Sequence, residues 1–332
     1  MIGPSFSDRA YARRLLLAIT VVLPILSACA QSPPEAPVES PVSIIEWRSG
    51  LYPDHDLVGS LWHSHSNRFV PIAEFAAALQ ASRFVLLGEK HDNPDHHQIQ
   101  QNILRFLLAS DRVGTVSFEM MDSGFDERLN RLGDQQFDSI VQLKEYLQWD
   151  DQGWDWAFYG PLIADVLAAD IAVRSANIST DQMREVYAQP LAPSVANVMD
   201  AAAMEQLNIE IDESHCNLLP ASQFPAMVRV QQARDHAMAS SLAAQPGPDR
   251  INLLIAGNYH VRHDLGVPNY LLALLPDLQR EDILSLAVLE VSPESEDPAD
   301  YLQAYSNLKP FDYVWFTPAI SNEDYCAGLM AQ

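Results

Sequence analysis

Phe84-Val85-Leu86-Leu87-Gly88-Glu89-Lys90-His91 and Ile251-Asn252-Leu253-Leu254-Ile255-Ala256-Gly257-Asn258-Tyr259-His260 share one plan: an apolar run, then glycine, two residues and histidine. Runs of aliphatic residues with little polar alternation predict strands buried on both faces, as in a parallel sheet. Glycine at the strand end lets the backbone turn sharply while the histidine comes back over that end. Side chains just past the carboxyl ends of parallel strands converge on one crevice, so the two imidazoles are expected to meet there.

Working outward, similar short runs occur at Thr115–Phe118, Ile171–Val173, Ile283–Leu289 and Tyr313–Phe316, with helical patterns between them. The fold class that follows is α/β, a mostly parallel sheet with helices on both faces. Asn93-Pro94 predicts a helix start, with Asn93 as N-cap, Pro94 in the first turn and a core stripe of Ile99, Ile103, Phe106 and Leu107. Helical insertions over about 123–160 and 192–244 predict a cap subdomain on a single domain spanning 43–332.

Two more strand ends are polar, at Glu119 and Asn177, so the predicted crevice is lined by Glu89, His91, Glu119, Asn177 and His260. Gln231, Arg234 and Asp235 share one face of a helix by their i, i+3, i+4 spacing. His96 and His97 point about 100° apart on their helix, and His97 is expected to face the crevice while His96 flanks the core stripe. His63-Ser64-His65 reads as a solvated loop, and His215 and His236 as structural.

Three kinds of chemistry suit this set. A histidine oriented by Glu89 or Glu119 is a general base for hydrolysis, with His260 and Arg234 to stabilise developing charge. His91, His260 and Glu119 together are a candidate divalent-metal site. A flat apolar slot with an axial donor and basic groups would instead hold haem. Trp149, Trp154, Trp156, Phe158 and Tyr159 either line such a slot or pack between cap and sheet. The sequence contains no His-Glu-x-x-His, Gly-x-Ser-x-Gly or Walker motif.

Composition narrows the partners. With 44 acidic against 20 basic residues and a formal charge of -24, the chain lacks the basic excess that nucleic-acid binding needs. The amino terminus has Arg9, Arg13 and Arg14, an apolar run from Leu15 to Leu26 too short to span a bilayer, then Leu26-Ser27-Ala28-Cys29. This resembles a lipoprotein signal peptide over 1–29, with Cys29 the lipidated residue and a proline-rich tether over 30–42. Ala30 after the cysteine resembles the pattern of lipoproteins passed to the outer membrane, facing the periplasm. Cys216 and Cys326 then remain as an even pair in an oxidising compartment and are expected to form a disulfide.

An ordered set of motifs spans nearly all of the mature chain: Gly88-Glu89-Lys90-His91-Asp92-Asn93 with His96-His97, Glu119-Met120, Trp154-Asp155-Trp156 and Tyr159-Gly160-Pro161. Gln231 to Ala239, Ala256 to Arg262, Gly266-Val267-Pro268, Phe316-Thr317-Pro318 and Cys326 continue it. The set resembles the ChaN-type haem-binding lipoproteins, within the wider Tiki and erythromycin-esterase-like group. The resemblance implies a lipoprotein of iron or haem acquisition working with an outer-membrane uptake system, and a homodimer enclosing haem with a tyrosine on the iron. Lys90 and Tyr259 depart from the family pattern, and Tyr259 is the candidate phenolate. Hydrolysis by the paired Gly-x-x-His histidines, or a structural or partner-binding role, remain the alternatives.

Overall fold

The computed structural model describes residues 46–244, 247, 249–302, 305–323 and 326–327. The signal peptide, Cys29 and the 30–42 tether lie outside the described residues. The described residues belong to one compact unit.

Eight strands make one sheet in the order β2-β1-β8-β7-β3-β6-β4-β5. They are β1 (Leu61–His63), β2 (Arg68–Phe69), β3 (Phe84–Glu89), β4 (Val113–Asp122), β5 (Ala172–Asn177), β6 (Ile251–Gly257), β7 (Ile283–Glu290) and β8 (Tyr313–Thr317). The six predicted strands are all present and pair in parallel from β8 across to β5. β1 and β2, which the sequence reading missed, add an antiparallel edge. At three and two residues they are too short for a periodicity signal. Consequently His63 belongs to a strand rather than to a solvated loop.

The helices are α1 (Ile72–Ala81), α2 (Pro94–Leu108), α3 (Asp126–Leu129), α4 (Ile140–Leu147), α5 (Trp156–Ala168), α6 (Thr180–Ala188), α7 (Pro193–Ala196), α8 (Ala201–Ser214), α9 (Phe224–Ala243) and α10 (Val267–Leu274). Asn93 caps α2 through its side chain, accepting from the Asp95 amide at 2.9 Å, and Ile99, Ile103, Phe106 and Leu107 are buried as predicted. The first helical insertion is broken into short pieces, and the second begins at Thr180 rather than near 192. The helix α6 was overlooked because it is short and mostly polar, and none of its residues is buried.

Alternation along each central strand builds two cores. Val85, Leu87, Val116, Phe118, Leu253 and Ile255 pack with α1, α2, α4 and α5. From the opposite face, Phe84, Leu86, Leu254 and Ala256 pack with α8, α9 and α10. Burial on both faces holds β3 and β6 in a fixed register, with Glu89 opposite Gly257. That pairing brings the two glycine-histidine segments side by side.

Trp149, Trp156 and Tyr159 are buried in the first core, with Trp154 and Phe158 packed against it. Their place is therefore packing between helices and sheet, not the wall of an open slot. A disulfide joins Cys216 to Cys326, with Cα atoms 5.3 Å apart.

Candidate functional site

Gly88 is a glycine because its neighbours leave no room. A Cβ there would sit 2.4 Å from Asn258 Oδ1 and 2.9 Å from the Leu286 carbonyl oxygen. Asn258 fills that space usefully: its side chain donates to the Val288 carbonyl at 2.7 Å and accepts from the Val288 amide at 3.1 Å, extending the strand pairing beyond β6. Gly257 is confined less severely, since its Cβ would lie 3.0 Å from His91 Cε1. The His91 ring thus lies over the end of β6, and His91 and His260 line the same cavity of about 460 Å³, with Glu89, Lys90, His96, Tyr259 and Glu290.

Each histidine is held by carboxylates, but differently. His91 Nδ1 lies 2.6 Å from Glu89 Oε1, and Tyr159 donates to that same oxygen at 3.1 Å. Burial works against charge on His91, yet the Glu89 carboxylate outweighs it and raises the pKa above the ordinary value. Nδ1 is directed at a carboxylate, so Nε2 is the nitrogen left for chemistry. Among the described residues it has no hydrogen bond.

His260 is committed on both sides. Its Nδ1 lies 2.6 Å from Asp235 Oδ1 and its Nε2 lies 3.3 Å from Glu119 Oε1. Burial opposes its charge, but Glu119 and Asp235 together push the imidazole up to about 10. Glu119 is correspondingly drawn down to about 2 against its own burial, by His260, then His91, and by the Gly257 amide at 2.8 Å. Asp235, by contrast, is raised, because its burial exceeds what His260 and Gln231 return. The unit is a buried imidazolium between two carboxylates.

This geometry corrects two expectations. His260 has no N–H left over to stabilise charge on a substrate, since both face carboxylates. For the same reason His91, His260 and Glu119 do not form a metal site: among the described residues no group of three or more His, Cys, Asp or Glu is placed to hold a metal ion. Arg234 does not join this cavity either.

Arg234 lines a second, larger cavity of about 680 Å³ with Met183, Arg184, Tyr187, Ile211, His215, Met227, Val230 and Gln231. Tyr259 and His260 line both cavities and form their common wall. The larger one is an apolar slot between α6, α8 and α9. Arg234 Nε is buried there without a hydrogen-bond partner. Among the described residues Arg184 pairs only with Asp181, on the exposed surface of α6. The sequence reading found Gln231, Arg234, Tyr259 and His260 but missed Met183, Arg184, Tyr187 and His215. Met183 and Tyr187, four residues apart, were the available signal, hidden once α6 went unrecognised.

The remaining expected residues fall elsewhere. His97 faces the protein interior: Nε2 donates to the His91 carbonyl at 3.1 Å, Nδ1 pairs with Gln100 at 3.2 Å, and the ring stacks on Phe158. The imidazole reaching the cavity from α2 is His96, whose Nδ1 accepts from the Lys90 amide at 2.8 Å. That bond is possible because the turn after β3 folds back on the first turn of α2, which periodicity does not report. Asn177 donates to the Glu119 carbonyl at 3.0 Å and so supports β4 rather than lining either cavity. Lys90 is tied to Glu290 at 2.9 Å.

The Tyr259 phenol is pushed well up by burial and by the Glu210 carboxylate, against Arg262, which disfavours the phenolate expected of it. His65 and His263 both bond Asp312, at 3.0 and 2.8 Å, and draw that carboxyl well down against its burial.

A doubly covered parallel sheet with two Gly-x-x-His segments meeting at its carboxyl edge defines the class of protein. Residues 75–271 match the pattern of the family described as haem-binding uptake, Tiki superfamily, ChaN, and the chain belongs to it. Among solved structures, the ChaN of Campylobacter jejuni, described for its cofacial haem binding, is similar with a TM-score of 0.61 and 22% identity over 77% of this chain and 95% of that one. At that identity the likeness shows the fold. An erythromycin esterase mutant in its open conformation has a TM-score of 0.44 and 13% identity over 77% of this chain and 96% of that one. No curated protein matches the chain.

Proposed function

We propose that the chain binds haem or a closely related iron tetrapyrrole, in the slot between α6, α8 and α9, as part of iron acquisition. The observation that carries this reading is the slot itself. Its volume of about 680 Å³ is of the size that takes a cofactor. Met183, Tyr187, Ile211, Met227 and Val230 offer apolar surface for a flat macrocycle, and Arg184 and Arg234 offer two cations for its propionates. Arg234 lines the slot with its guanidinium held, among the described residues, only by a weak bond from Nη2 to Met183 Sδ at 3.9 Å, so a carboxylate is the better partner. Arg184 exchanges only an exposed ion pair, which is a weak competitor. The crevice at the strand ends, where the sequence reading put the ligand, suits an anionic ligand less well, because Glu89 and Glu290 line it and its one lysine is already paired.

Bound there, the tetrapyrrole supplies a carried iron; the protein's work is to exclude water and hold the carboxylates. Family membership and the lipobox ending at Cys29 support a membrane-anchored protein that serves an uptake system at the outer membrane, working as a homodimer. The test is titration of ferric haem into the purified full-length chain in detergent, followed by its visible spectrum. Saturable uptake near one haem per chain, weakened in Arg184→Ala and Arg234→Ala, supports the reading. Absence of uptake would sink it.

A second reading is favoured by one observation, the Glu89–His91 pair. An imidazole whose Nδ1 is fixed by a buried carboxylate and whose Nε2 is uncommitted is equipped to take a proton from water. His260 serves there as the cation between Glu119 and Asp235, which ties the site's floor together. Ester turnover lost in His91→Ala but retained in Arg234→Ala would assign hydrolysis to the strand-end cavity.

A further inference from the structure

Among the described residues two imidazoles line the slot, and only one has a nitrogen to give. His260 faces a carboxylate on each nitrogen. His215 follows the last turn of α8, and its Nδ1 lies 2.6 Å from the Ile211 carbonyl oxygen. A carbonyl only accepts, so Nδ1 carries the proton and donates. Nε2 of the neutral ring is then left with its lone pair. Among the described residues no hydrogen bond engages Nε2. Histidines that bind metals are held in this way, with the other ring nitrogen donating to a carbonyl or carboxylate that fixes tautomer and orientation.

The segment that follows keeps the ring in place. Cys216 and Asn217 both adopt left-handed backbone, with φ of 61° and 57°, the conformation in which many helices end. Here the Cys216 amide donates to the Glu213 carbonyl, the Asn217 amide to the Asp212 carbonyl and the Leu218 amide to the His215 carbonyl. The disulfide to Cys326 secures the same turn. The helix thus ends in a Schellman cap, with Cys216 and Asn217 in the two positions after His215, and the disulfide adds a covalent tie to the turn that carries the imidazole.

We propose that His215, through Nε2, is the protein ligand of the iron carried in this slot. The proposal rests on the tetrapyrrole reading above. It differs from the tyrosine that the family resemblance implies. Tyr259 is disfavoured as phenolate by its burial and by Glu210. Tyr187, the other phenol lining the slot among the described residues, is half exposed on α6 and would have to shed its proton, whereas the neutral imidazole of His215 offers a lone pair.

The experiment adds ferric haem to the full-length chain and to H215A, H215Q and Y187F variants, and records visible, electron paramagnetic resonance and reduced-state resonance Raman spectra. The wild type is expected to show imidazole ligation, with an iron-histidine stretch after reduction. Both His215 variants are expected to take up haem without that signature, and added imidazole to restore it in H215A. A phenolate spectrum in the wild type, abolished by Y187F and untouched by H215A, would overturn the ligand assignment and leave the slot standing. No haem uptake by the wild type would overturn both.

Discussion

His260 Nδ1 lies 2.6 Å from Asp235 Oδ1, so a helix on one face of the sheet and the turn after β6 are joined through a buried charge. With Glu119 on the other nitrogen, one cation answers two buried carboxylates. Replacing His260 by Ala is therefore expected to cost about 3–5 kcal/mol at pH 7, the usual penalty for leaving buried charge uncompensated. The loss should shrink on acidification, because the bereft carboxylates can then protonate. Denaturant titrations of both proteins at pH 7 and pH 5 check this; equal losses at the two values would refute it.

The same unit sets a pH window for the wild type. His260 is raised from 6.5 to about 10, so its contribution is complete below about 6.5 and is lost as pH rises through 10. Glu119 is lowered from 4.5 to about 2, so its contribution is complete above about 4.5 and is lost as pH falls through 2. Asp235, raised by burial, detracts as it ionises. Stability should be greatest between about 4.5 and 6.5 and fall on either side. Melting temperature measured across pH tests it, and a maximum above pH 8 would contradict the assignment.

Glu89 raises the His91 pKa against burial, at a contact of 2.6 Å. In Glu89→Gln the carboxylate is gone while burial remains, so the His91 ring should titrate at lower pH than in the wild type. NMR titration of its ring protons reads the shift directly. An unchanged midpoint would mean that Glu89 does not govern His91.

Arg234 tests the slot independently of the iron ligand. Arg234→Met keeps apolar bulk but removes the cation. A charge-assisted hydrogen bond is worth about 1.5–3 kcal/mol, so haem affinity should fall roughly 10- to 100-fold. Stability without ligand should change little, because Nε has no hydrogen-bond partner among the described residues and Nη2 makes only a weak bond to Met183 Sδ at 3.9 Å. Unchanged haem affinity would move the propionates elsewhere.

The disulfide closes a segment of 110 residues. Loss of such a crosslink is expected to cost about 2–4 kcal/mol. Cys216→Ser with Cys326→Ser should therefore unfold at lower denaturant than the oxidised wild type, and reduction of the wild type should mimic it. If neither treatment shifts the midpoint, the crosslink does not constrain the unfolded chain.

Much of the architecture was legible because central parallel strands advertise themselves. Residues such as Val85, Leu87, Leu253 and Ile255 are apolar on both faces, and Gly88 and Gly257 mark where those strands stop. Asn93-Pro94 announced α2 because its cap is a local interaction over three residues. The edge strands β1 and β2 and the surface helix α6 were not legible, because short or exposed elements owe their conformation to neighbours rather than to their own pattern.

What the sequence by itself determined is therefore the sheet, the helix starts, the family motifs and the fact that Glu89, His91, Glu119 and His260 stand at strand ends. Only tertiary structure decided what each group does. His260 became a structural imidazolium because α9 delivers Asp235 to it, and His91 kept a free nitrogen because, among the described residues, no second carboxylate bonds its ring. The apolar slot arises where α6, α8 and α9 come together, and no one of these helices encodes it alone. Local patterns record what each segment buries; which polar atoms remain uncommitted depends on contacts between segments distant in the chain.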